Sequence, residues 1–414
     1  MRLLSLALEN IGPFDRAELR FLDEADDEVP VAFVTGENGT GKSIVLDAIR
    51  GLFGGPELAL ERNITREGGA FVLGAHAVID DEPVKMGSRQ LGESQTGFVP
   101  EDSQSAHERV QSRFSLLRKF VCPDWVLDYW RPGIPSGTHG IQSLTKPDLH
   151  ALLEGSLQGT LRNAEVTELI CFFDYLRDSR SAEERRAGDL LYAAIEKIIA
   201  ASVLDGGLDH VERSTLTPII KQSGQLVPIS NLSAGNAYLI QRLIGLLGKM
   251  YAVHVLRQTP PEELCNTPGL LLIDEAESHL HPRWQKRFVR DVLGVFPNLQ
   301  IIATTHSPFI LASTPGARVF VCRYDREAGA CVIEQQHESF ANKPIDEVVL
   351  SGAFDGTQPF GPEISDLLER RAAAVRSGDD ETRRYIEREL QRLNPQYFGF
   401  LDVEERLRAL GGGG

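Results

Sequence analysis

Large apolar residues recur at every second position at the start of the chain, at Leu4, Leu6 and Leu8. This period of two predicts a β-strand. A second strand is predicted over 17–21, after the Gly-Pro pair at 12–13 that is typical of a turn. The two strands are therefore expected to pair as a hairpin.

An uninterrupted apolar run, VAFVT, follows over 31–35 and leads into the glycine-rich segment GENGTGKS at 36–43. The next residues, from Ile44 to Phe53, carry apolar side chains near helical spacing. A strand, a glycine loop and a helix in this order are what a phosphate-binding motif requires.

Longer helical patterns dominate the rest of the chain. Residues 166–203 read as helical, whereas 86–105 are rich in Gly, Ser and Gln and are expected to form a surface loop. Two amphipathic segments, 363–376 and 381–393, flank a Ser-Gly-Asp-Asp sequence in which Asp380 is a candidate N-cap. A helical hairpin is predicted there, and the four terminal glycines are expected to be disordered.

The composition narrows the class of protein. The chain has 414 residues, of which 42% are hydrophobic and 25% charged, as in average globular proteins. No apolar run approaches the ~20 residues of a membrane span, and the start lacks the layout of a signal peptide, so a cytoplasmic protein without a membrane partner is expected. The 5 cysteines are scattered without CxxC spacing, which favours buried free thiols in a reducing compartment.

The net charge of −16 argues against a general nucleic-acid coat, because the mean field repels phosphate. A local basic groove and a solvated helix face are both compatible with one denser group of basic residues. That group comprises Arg109, Arg113, Arg118, Lys119 and Arg131.

The segment GENGTGKS matches the pattern G-x-x-x-x-G-K-[ST]. Glycines let the backbone approach phosphate oxygens and point its N–H groups inward. Lys42 is expected to reach the β- and γ-phosphates of ATP, and Ser43 to offer its hydroxyl to Mg²⁺. The predicted phosphate-binding residues are Gly36, Glu37, Asn38, Gly39, Thr40, Gly41, Lys42, Ser43 and Ile44.

Two further apolar runs end in polar residues suited to the same chemistry. The run 270–273 reads as a buried parallel strand and ends in Asp274 and Glu275. Asp274 is suited to hold Mg²⁺ with Ser43, and Glu275 to activate the attacking water. The second run, 301–305, ends in His306, which is expected to contact the γ-phosphate, although a lone histidine is more often structural.

The segment Asn231-Leu232-Ser233-Ala234-Gly235-Asn236 precedes another helical pattern and resembles the ABC signature. In that signature a serine hydroxyl and backbone N–H groups at a helix N-terminus bind a γ-phosphate held by the opposite subunit. The resemblance makes Ser233, Ala234 and Gly235 nucleotide-binding residues and Lys42, Glu275 and His306 catalytic ones.

With these motifs in order, the chain resembles ABC-class ATPases of the SMC/RecF/OLD branch, most clearly over 1–80 and 225–325. The resemblance implies an α/β ATPase head: a parallel P-loop core sheet, an N-terminal antiparallel β lobe, a helical insertion and a helical C-terminal tail. Four domains are predicted: an N-terminal lobe over 1–82, a mostly helical insertion or lid over 83–224, a C-terminal lobe over 225–340 and a tail for partner or oligomer contacts over 341–414.

The run from Glu275 to Pro282 is similar to the DE-x-E-x-x-L-H-P run of RecF- and OLD-like proteins, which makes 278–281 the D-loop. Metal binding by His279 and His281 is an alternative interpretation, although no third ligand is evident. The Q-loop glutamine stays open between Gln142, Gln90 and Gln95. Asn10 and Phe14 match either an adenine contact or a simple hairpin turn.

The likeness extends to the stand-alone ATPase subunits of bacterial anti-phage systems of the Septu and retron type. It implies a head-to-head dimer around ATP and a separate HNH-type nuclease as effector, with nucleic acid as an indirect partner, because Asp-x-Asp does not occur after His306. A RecF-like DNA-repair ATPase that binds DNA directly and a scaffold with negligible turnover remain alternatives.

Overall fold

The computed structural model describes residues 1–22, 28–59, 70–79, 81–90, 96–98, 124–133, 139–160, 162–354 and 360–401. The chain divides into two compact units, Met1–Val348 and Val349–Gly414. The basic residues between 109 and 119, the Q-loop candidate Gln95 and the terminal glycines lie outside the described residues.

The strands of the first unit are β1 (Arg2–Ile11), β2 (Phe14–Arg20), β3 (Val31–Gly36), β4 (Val72–Ile79), β5 (Glu82–Gln90), β6 (Thr96–Phe98), β7 (Val126–Trp130), β8 (Gly206–Glu212), β9 (Thr217–Gln222), β10 (Gln225–Pro228), β11 (Gly269–Ile273), β12 (Leu299–Thr304), β13 (Arg318–Asp325) and β14 (Ala330–Gln336).

The helices are α1 (Lys42–Gly54), α2 (Pro56–Ala59), α3 (Leu149–Glu154), α4 (Asn163–Leu176), α5 (Ala182–Ser202), α6 (Ala234–Arg257), α7 (Pro282–Gln285), α8 (Phe288–Val295), α9 (Pro308–Ala312) and α10 (Ile345–Leu350), followed in the second unit by α11 (Pro362–Ser377), α12 (Asp380–Leu393) and α13 (Pro395–Phe398).

The largest sheet has 11 strands in the order β6-β5-β4-β1-β2-β14-β13-β3-β12-β11-β7. Its part from β13 to β7 is parallel throughout. Every residue of β3, β11 and β12 is buried, which explains why these strands read as continuous apolar runs in the sequence. The carboxyl ends of β3, β11 and β12 therefore lie side by side at one edge.

The other part of the sheet is the antiparallel lobe formed by β6, β5, β4, β1 and β2. The predicted hairpin is confirmed, since β1 and β2 pair with Leu6 opposite Leu19 and Leu8 opposite Ala17. Strand β14 joins the lobe to the core: it is antiparallel to β13 and makes one bridge to β2. The predicted fold class, an ABC-ATPase head with a parallel core and an antiparallel lobe, is thus confirmed.

The predicted helical stretch over 166–203 is confirmed by α4 and α5. The described part of 83–224 also holds strands, including β7 in the core sheet and β8 and β9 in a separate 3-stranded sheet with β10. The surface loop predicted over 86–105 is wrong where β5 and β6 extend the lobe, because pairing with a neighbouring strand needs backbone groups rather than apolar side chains. The domain boundaries stay a prediction.

Helix α6 begins within the signature segment 231–236, and most of its residues are buried. It is long and apolar enough to cross a membrane by length and composition, but 89% of its most apolar window is buried inside the protein. It is therefore a core helix, and it carries the signature residues at its N-terminus. The buried free thiols predicted from the cysteine pattern include Cys171, Cys322 and Cys331, whereas Cys265 is half-buried.

The second unit contains the predicted helical hairpin. Helices α11 and α12 enclose a small core with Leu367, Ile386 and Leu390. The N-cap prediction was wrong by one residue: the carboxylate of Asp379 accepts the backbone N–H of Thr382 at 3.0 Å, while Asp380 is the first residue of α12.

Candidate active site

The glycine loop follows β3 and wraps tightly against its neighbours. Gly36 and Gly41 have φ values of 131° and 98°, a region that favours glycine. A Cβ on Gly36 would lie 2.1 Å from the carbonyl oxygen of Cys322, and one on Gly41 would lie 2.6 Å from the ring of Phe14. Both positions therefore require glycine, and the loop leaves its inner side open to a phosphate group.

Lys42 is the first residue of α1 and is almost completely buried. Its Nζ donates to the carbonyl oxygens of Gly36 at 3.0 Å and Glu37 at 2.6 Å. Burial lowers the pKa of Lys42, and the nearby thiol of Cys322 and carboxylates of Glu277, Asp274 and Glu275 oppose that shift. The loop thus holds the ammonium group in place beside the phosphate position.

Ser43 and Asp274 meet at the carboxyl ends of β3 and β11. The Ser43 hydroxyl donates to Oδ1 of Asp274 at 2.7 Å, and the Thr304 hydroxyl donates to the same oxygen at 2.8 Å. Tyr129 contacts the other oxygen at 3.4 Å. A buried carboxylate next to a serine hydroxyl supplies the hard oxygen ligands that suit Mg²⁺, so these residues fit the predicted metal.

His279 and His281 point to different partners. Nε2 of His279 lies 2.9 Å from the carbonyl oxygen of Pro132, and Nδ1 of His281 accepts the backbone N–H of Arg283 at 3.2 Å. Over the described ranges, no group of three or more His, Cys, Asp and Glu side chains is arranged to hold a metal ion.

Glu275 lies in the turn 274–277, here called the acidic turn, with an exposed side chain and a φ of 55°. Its backbone N–H donates to the Thr304 hydroxyl at 2.7 Å, and its carboxylate accepts the hydroxyl of Ser278 at 2.8 Å. Thr304 therefore bridges the two acids, Asp274 through its hydrogen and Glu275 through its oxygen. The tight turn keeps the Glu275 carboxylate at the mouth of the site.

His306 follows β12 and has an exposed imidazole. Partial burial and the ammonium of Lys42 lower its pKa below the usual value of 6.5, while Glu277 and Glu275 oppose the shift. This shift favours the neutral form of the imidazole. A neutral ring donates one hydrogen bond and accepts one, as a group facing a γ-phosphate and a water requires.

The residues at the three strand ends surround one cavity of about 270 Å³. It is lined by Asn38, Gly39, Gly41, Lys42, Ser43, Ile44, Glu275, Thr304 and His306. The structure thus brings together the predicted P-loop, the predicted base and the predicted switch histidine. Thr304 was not predicted, although a polar pair at the end of an apolar strand was a usable signal.

The signature residues lie elsewhere. Ser233 is the N-cap of α6, where its hydroxyl accepts the N–H of Asn236 at 3.5 Å, and both Ser233 and Ala234 are exposed. Gly235 packs against the D-loop, since a Cβ there would lie 2.4 Å from the carbonyl oxygen of His279. None of the three predicted signature residues lines the cavity that holds Lys42.

Helix α6 also anchors the segment after β7. Arg242 donates to the carbonyl oxygens of Arg131 at 2.9 Å and Gly133 at 3.1 Å, and the ring of Tyr238 lies 5.5 Å from that of His279. The signature helix, the D-loop and this segment therefore form one packed group. Arg242 and Tyr238 were not predicted, because their partners are distant in the sequence.

The other predicted contacts are those of Asn10 and Phe14 with adenine and that of the Q-loop glutamine. Phe14 is completely buried beneath the glycine loop, and Asn10 has a φ of 56° in the hairpin and donates to the carbonyl oxygen of Ala70 at 3.2 Å. These observations favour the hairpin interpretation over an adenine contact. Gln142 is exposed, and the residues directly after β7 are Arg131, Pro132 and Gly133, so the Q-loop glutamine is still unassigned.

The fold is that of an ABC-type ATPase head with a glycine-rich phosphate loop after β3, and the chain is similar in sequence to ATPases of anti-phage systems. Family models described as "AAA domain, putative AbiEii toxin, Type IV TA system" and "AAA domain" match residues 158–312 and 5–95. A solved SMC head bound to the C-terminal winged-helix domain of ScpA superimposes with a TM-score of 0.51 at 14% identity, covering 81% of this chain and 98% of that one. This likeness concerns the fold.

Two relatives similar in sequence carry names from retron and Septu systems. The Retron Vc95 probable ATPase of Vibrio cholerae is 23% identical over 58% of this chain and 46% of its own length. The Septu protein PtuA of Bacillus mycoides is 35% identical over 25% of this chain and 14% of its own length. The chain thus spans less than half the length of these relatives.

Proposed function

We propose that the chain binds Mg-ATP in the cavity above β3, β11 and β12 and hydrolyses it as a head-to-head dimer. The observation that carries the proposal is the separation of parts: Lys42, Glu275 and His306 share one cavity, whereas Ser233 is exposed outside it. A γ-phosphate donor at a helix N-terminus is useful to this site only when a second copy brings it there.

Each side chain has a defined task in this reaction. Backbone N–H groups of the glycine loop and the Lys42 ammonium bind the phosphates and compensate their charge. Ser43 and Asp274 would hold Mg²⁺, which when bound neutralises charge on the phosphate oxygens. Glu275 orients the attacking water and accepts its proton, and neutral His306 contacts the γ-phosphate. Ser233 of the second copy completes the site.

The reaction is tested by comparing Glu275→Gln with the wild type and with Glu327→Gln, an exposed acid far along the chain from the motifs. The proposal expects Glu275→Gln to bind ATP with normal affinity, to lose turnover by at least about a hundredfold and to accumulate as a dimer with ATP. Light scattering measures the dimer. Unchanged turnover in Glu275→Gln contradicts the assigned base.

The half-site is tested separately with Ser233→Ala. This variant is expected to bind ATP as a monomer but to dimerise poorly and to hydrolyse ATP slowly. In a mixed dimer with Lys42→Ala, one of the two sites combines an intact Lys42 with an intact Ser233, so mixing is expected to restore part of the activity. If Ser233→Ala lowers ATP affinity of the monomer instead, the signature acts within its own chain and the dimer proposal fails.

For the biological role, we infer that ATP binding and hydrolysis in the cytoplasm restrain or release a separate effector nuclease of the HNH type in anti-phage defence. Support comes from the retron and Septu relatives and from the acidic balance of the chain, which disfavours direct nucleic-acid binding. Purification with the products of neighbouring genes tests this role. A chain that neither binds a nuclease nor changes its activity with ATP is inconsistent with it.

The alternative is a RecF-like DNA-repair ATPase that binds DNA directly. That function predicts ATP-dependent DNA binding whose affinity falls steeply with salt. A filter-binding titration at two salt concentrations distinguishes the two roles.

A further inference from the structure

Glu277 lies in the acidic turn, two residues after Glu275 and directly before the D-loop, and within the described part of the chain its carboxylate forms hydrogen bonds only with the segment after β12. Oε2 accepts the hydroxyl of Thr305 at 2.6 Å, and Oε1 accepts the backbone N–H of His306 at 2.8 Å. No arginine or lysine within the described ranges forms an ion pair with it. Both oxygens of a half-buried carboxylate are thus committed to one short segment.

A second bridge runs parallel to the first. Ser307 donates its hydroxyl to Oε1 of Gln285 at 2.6 Å, and Nε2 of Gln285 donates to the carbonyl oxygen of Leu280 at 2.7 Å. Thr304 already bridges Asp274 and Glu275 at the start of the acidic turn. The turn and the D-loop are therefore joined to the segment 304–307 at both ends. Hydrogen bonds to a charged acceptor are the stronger ones in such a set.

We propose that Glu277 is a positioning residue: its carboxylate holds the backbone at Thr305 and His306 against the acidic turn, so that the His306 imidazole and the Glu275 carboxylate keep one fixed separation at the nucleotide cavity. The inference rests on the proposed ATP hydrolysis for its effect on rate, but the placement of His306 is a property of the chain without nucleotide. Glu277 does not line the cavity and so acts through His306.

The negative charge of Glu277 has a second effect on the same residue. The groups that act on His306 are Lys42, which lowers its pKa, and Glu277 and Glu275, which raise it. Removing the charge of Glu277 therefore shifts the pKa of His306 further down. Thr305→Val removes the hydroxyl that donates to Glu277 and accepts the backbone N–H of Ser307 at 3.0 Å, but it leaves the charge of Glu277 in place and does not shift that pKa.

The test compares Glu277→Gln, Thr305→Val and the exposed control Glu327→Gln. A glutamine accepts one of the two hydrogen bonds but cannot accept both. Glu277→Gln is expected to bind ATP within about twofold of the wild type while kcat falls about tenfold to a hundredfold, the effect of a lost charged hydrogen bond. Thr305→Val is expected to lower kcat by less, and Glu327→Gln to leave it unchanged.

NMR of the His306 imidazole and amide proton supplies a readout that does not depend on turnover. Glu277→Gln is expected to lower the imidazole pKa and to increase exchange of the His306 amide, whereas Thr305→Val changes only the exchange. Wild-type values of kcat, pKa and exchange in Glu277→Gln overturn the proposal, as does an equal loss of ATP affinity and kcat. If the wild-type chain does not hydrolyse ATP, the proposed function fails and the NMR result alone decides the role of Glu277.

Discussion

Lys249→Met tests the buried ion pair that joins the signature helix to the core sheet. Lys249 on α6 pairs with Asp128 on β7, and their side chains are only 10% and 3% exposed. Methionine keeps the apolar stem but removes the ammonium. Asp128 then retains the indole N–H of Trp130 at 2.9 Å and the backbone N–H of Tyr129 at 3.1 Å, and no cation.

Breaking a buried pair by removing one partner costs about 3–5 kcal/mol. Because Asp128 keeps two hydrogen bonds, we expect the lower end, about 3 kcal/mol, out of a total stability of about 5–15 kcal/mol for a typical domain. Urea unfolding followed by tryptophan fluorescence measures it, since the 3 tryptophans all lie in the unit Met1–Val348.

The double variant Asp128→Asn/Lys249→Met removes the uncompensated charge and is expected to recover to within about 1 kcal/mol of the wild type. Lys221→Met, at an exposed lysine of β9, is the matched control and is expected to change little. The reasoning is refuted if Lys249→Met costs less than about 1 kcal/mol, or if the double variant is as unstable as the single one.

The other predictions concern the signature, the switch histidine and the second unit. Gly235→Ala brings a Cβ within 2.4 Å of the carbonyl oxygen of His279, so light scattering is expected to show weaker ATP-dependent dimerisation with unchanged ATP binding; equal dimerisation would show that the contact is dispensable. Because burial and Lys42 hold the pKa of His306 below 6.5, the loss of turnover through protonation of the imidazole is expected to have its midpoint below pH 6.5; a decline centred at pH 7 contradicts this. Glu387→Gln removes the carboxylate that pairs with the half-buried Arg371 of α11 and with Arg383 of α12, which keeps its pair with Asp380; the change is expected to cost about 1–2 kcal/mol, seen as faster hydrogen exchange in α11 and α12.

The core of the fold was predictable from the sequence because its strands are buried on both faces. Strands β3, β11 and β12 appear as apolar runs that end in glycine or polar residues, and this pattern is typical of a parallel sheet. The later part of β5 and strand β6 were missed because their Gly, Ser and Gln residues carry no alternation of apolar and polar positions to detect. Their pairing depends on the neighbouring strand, which single-sequence reasoning does not see.

The residues of the predicted site also divide into those that a local sequence pattern indicates and those that depend on distant partners. Lys42, Asp274 and His306 belong to local patterns whose order along the chain indicates their chemistry. Thr304 and Glu277 act by linking segments that are close only after the sheet has formed, and nothing in their local sequence specifies the partner.

The position of β3 in the sheet has a consequence for folding during synthesis. Its two neighbours are β12 and β13, which lie near the other end of the first unit, and it pairs in parallel with both. The P-loop strand therefore emerges from the ribosome long before either neighbour exists. Contacts of such high sequence separation form slowly and leave apolar edges exposed in the meantime. We expect nascent chains that end before β12 to bind chaperones and to have no affinity for nucleotide.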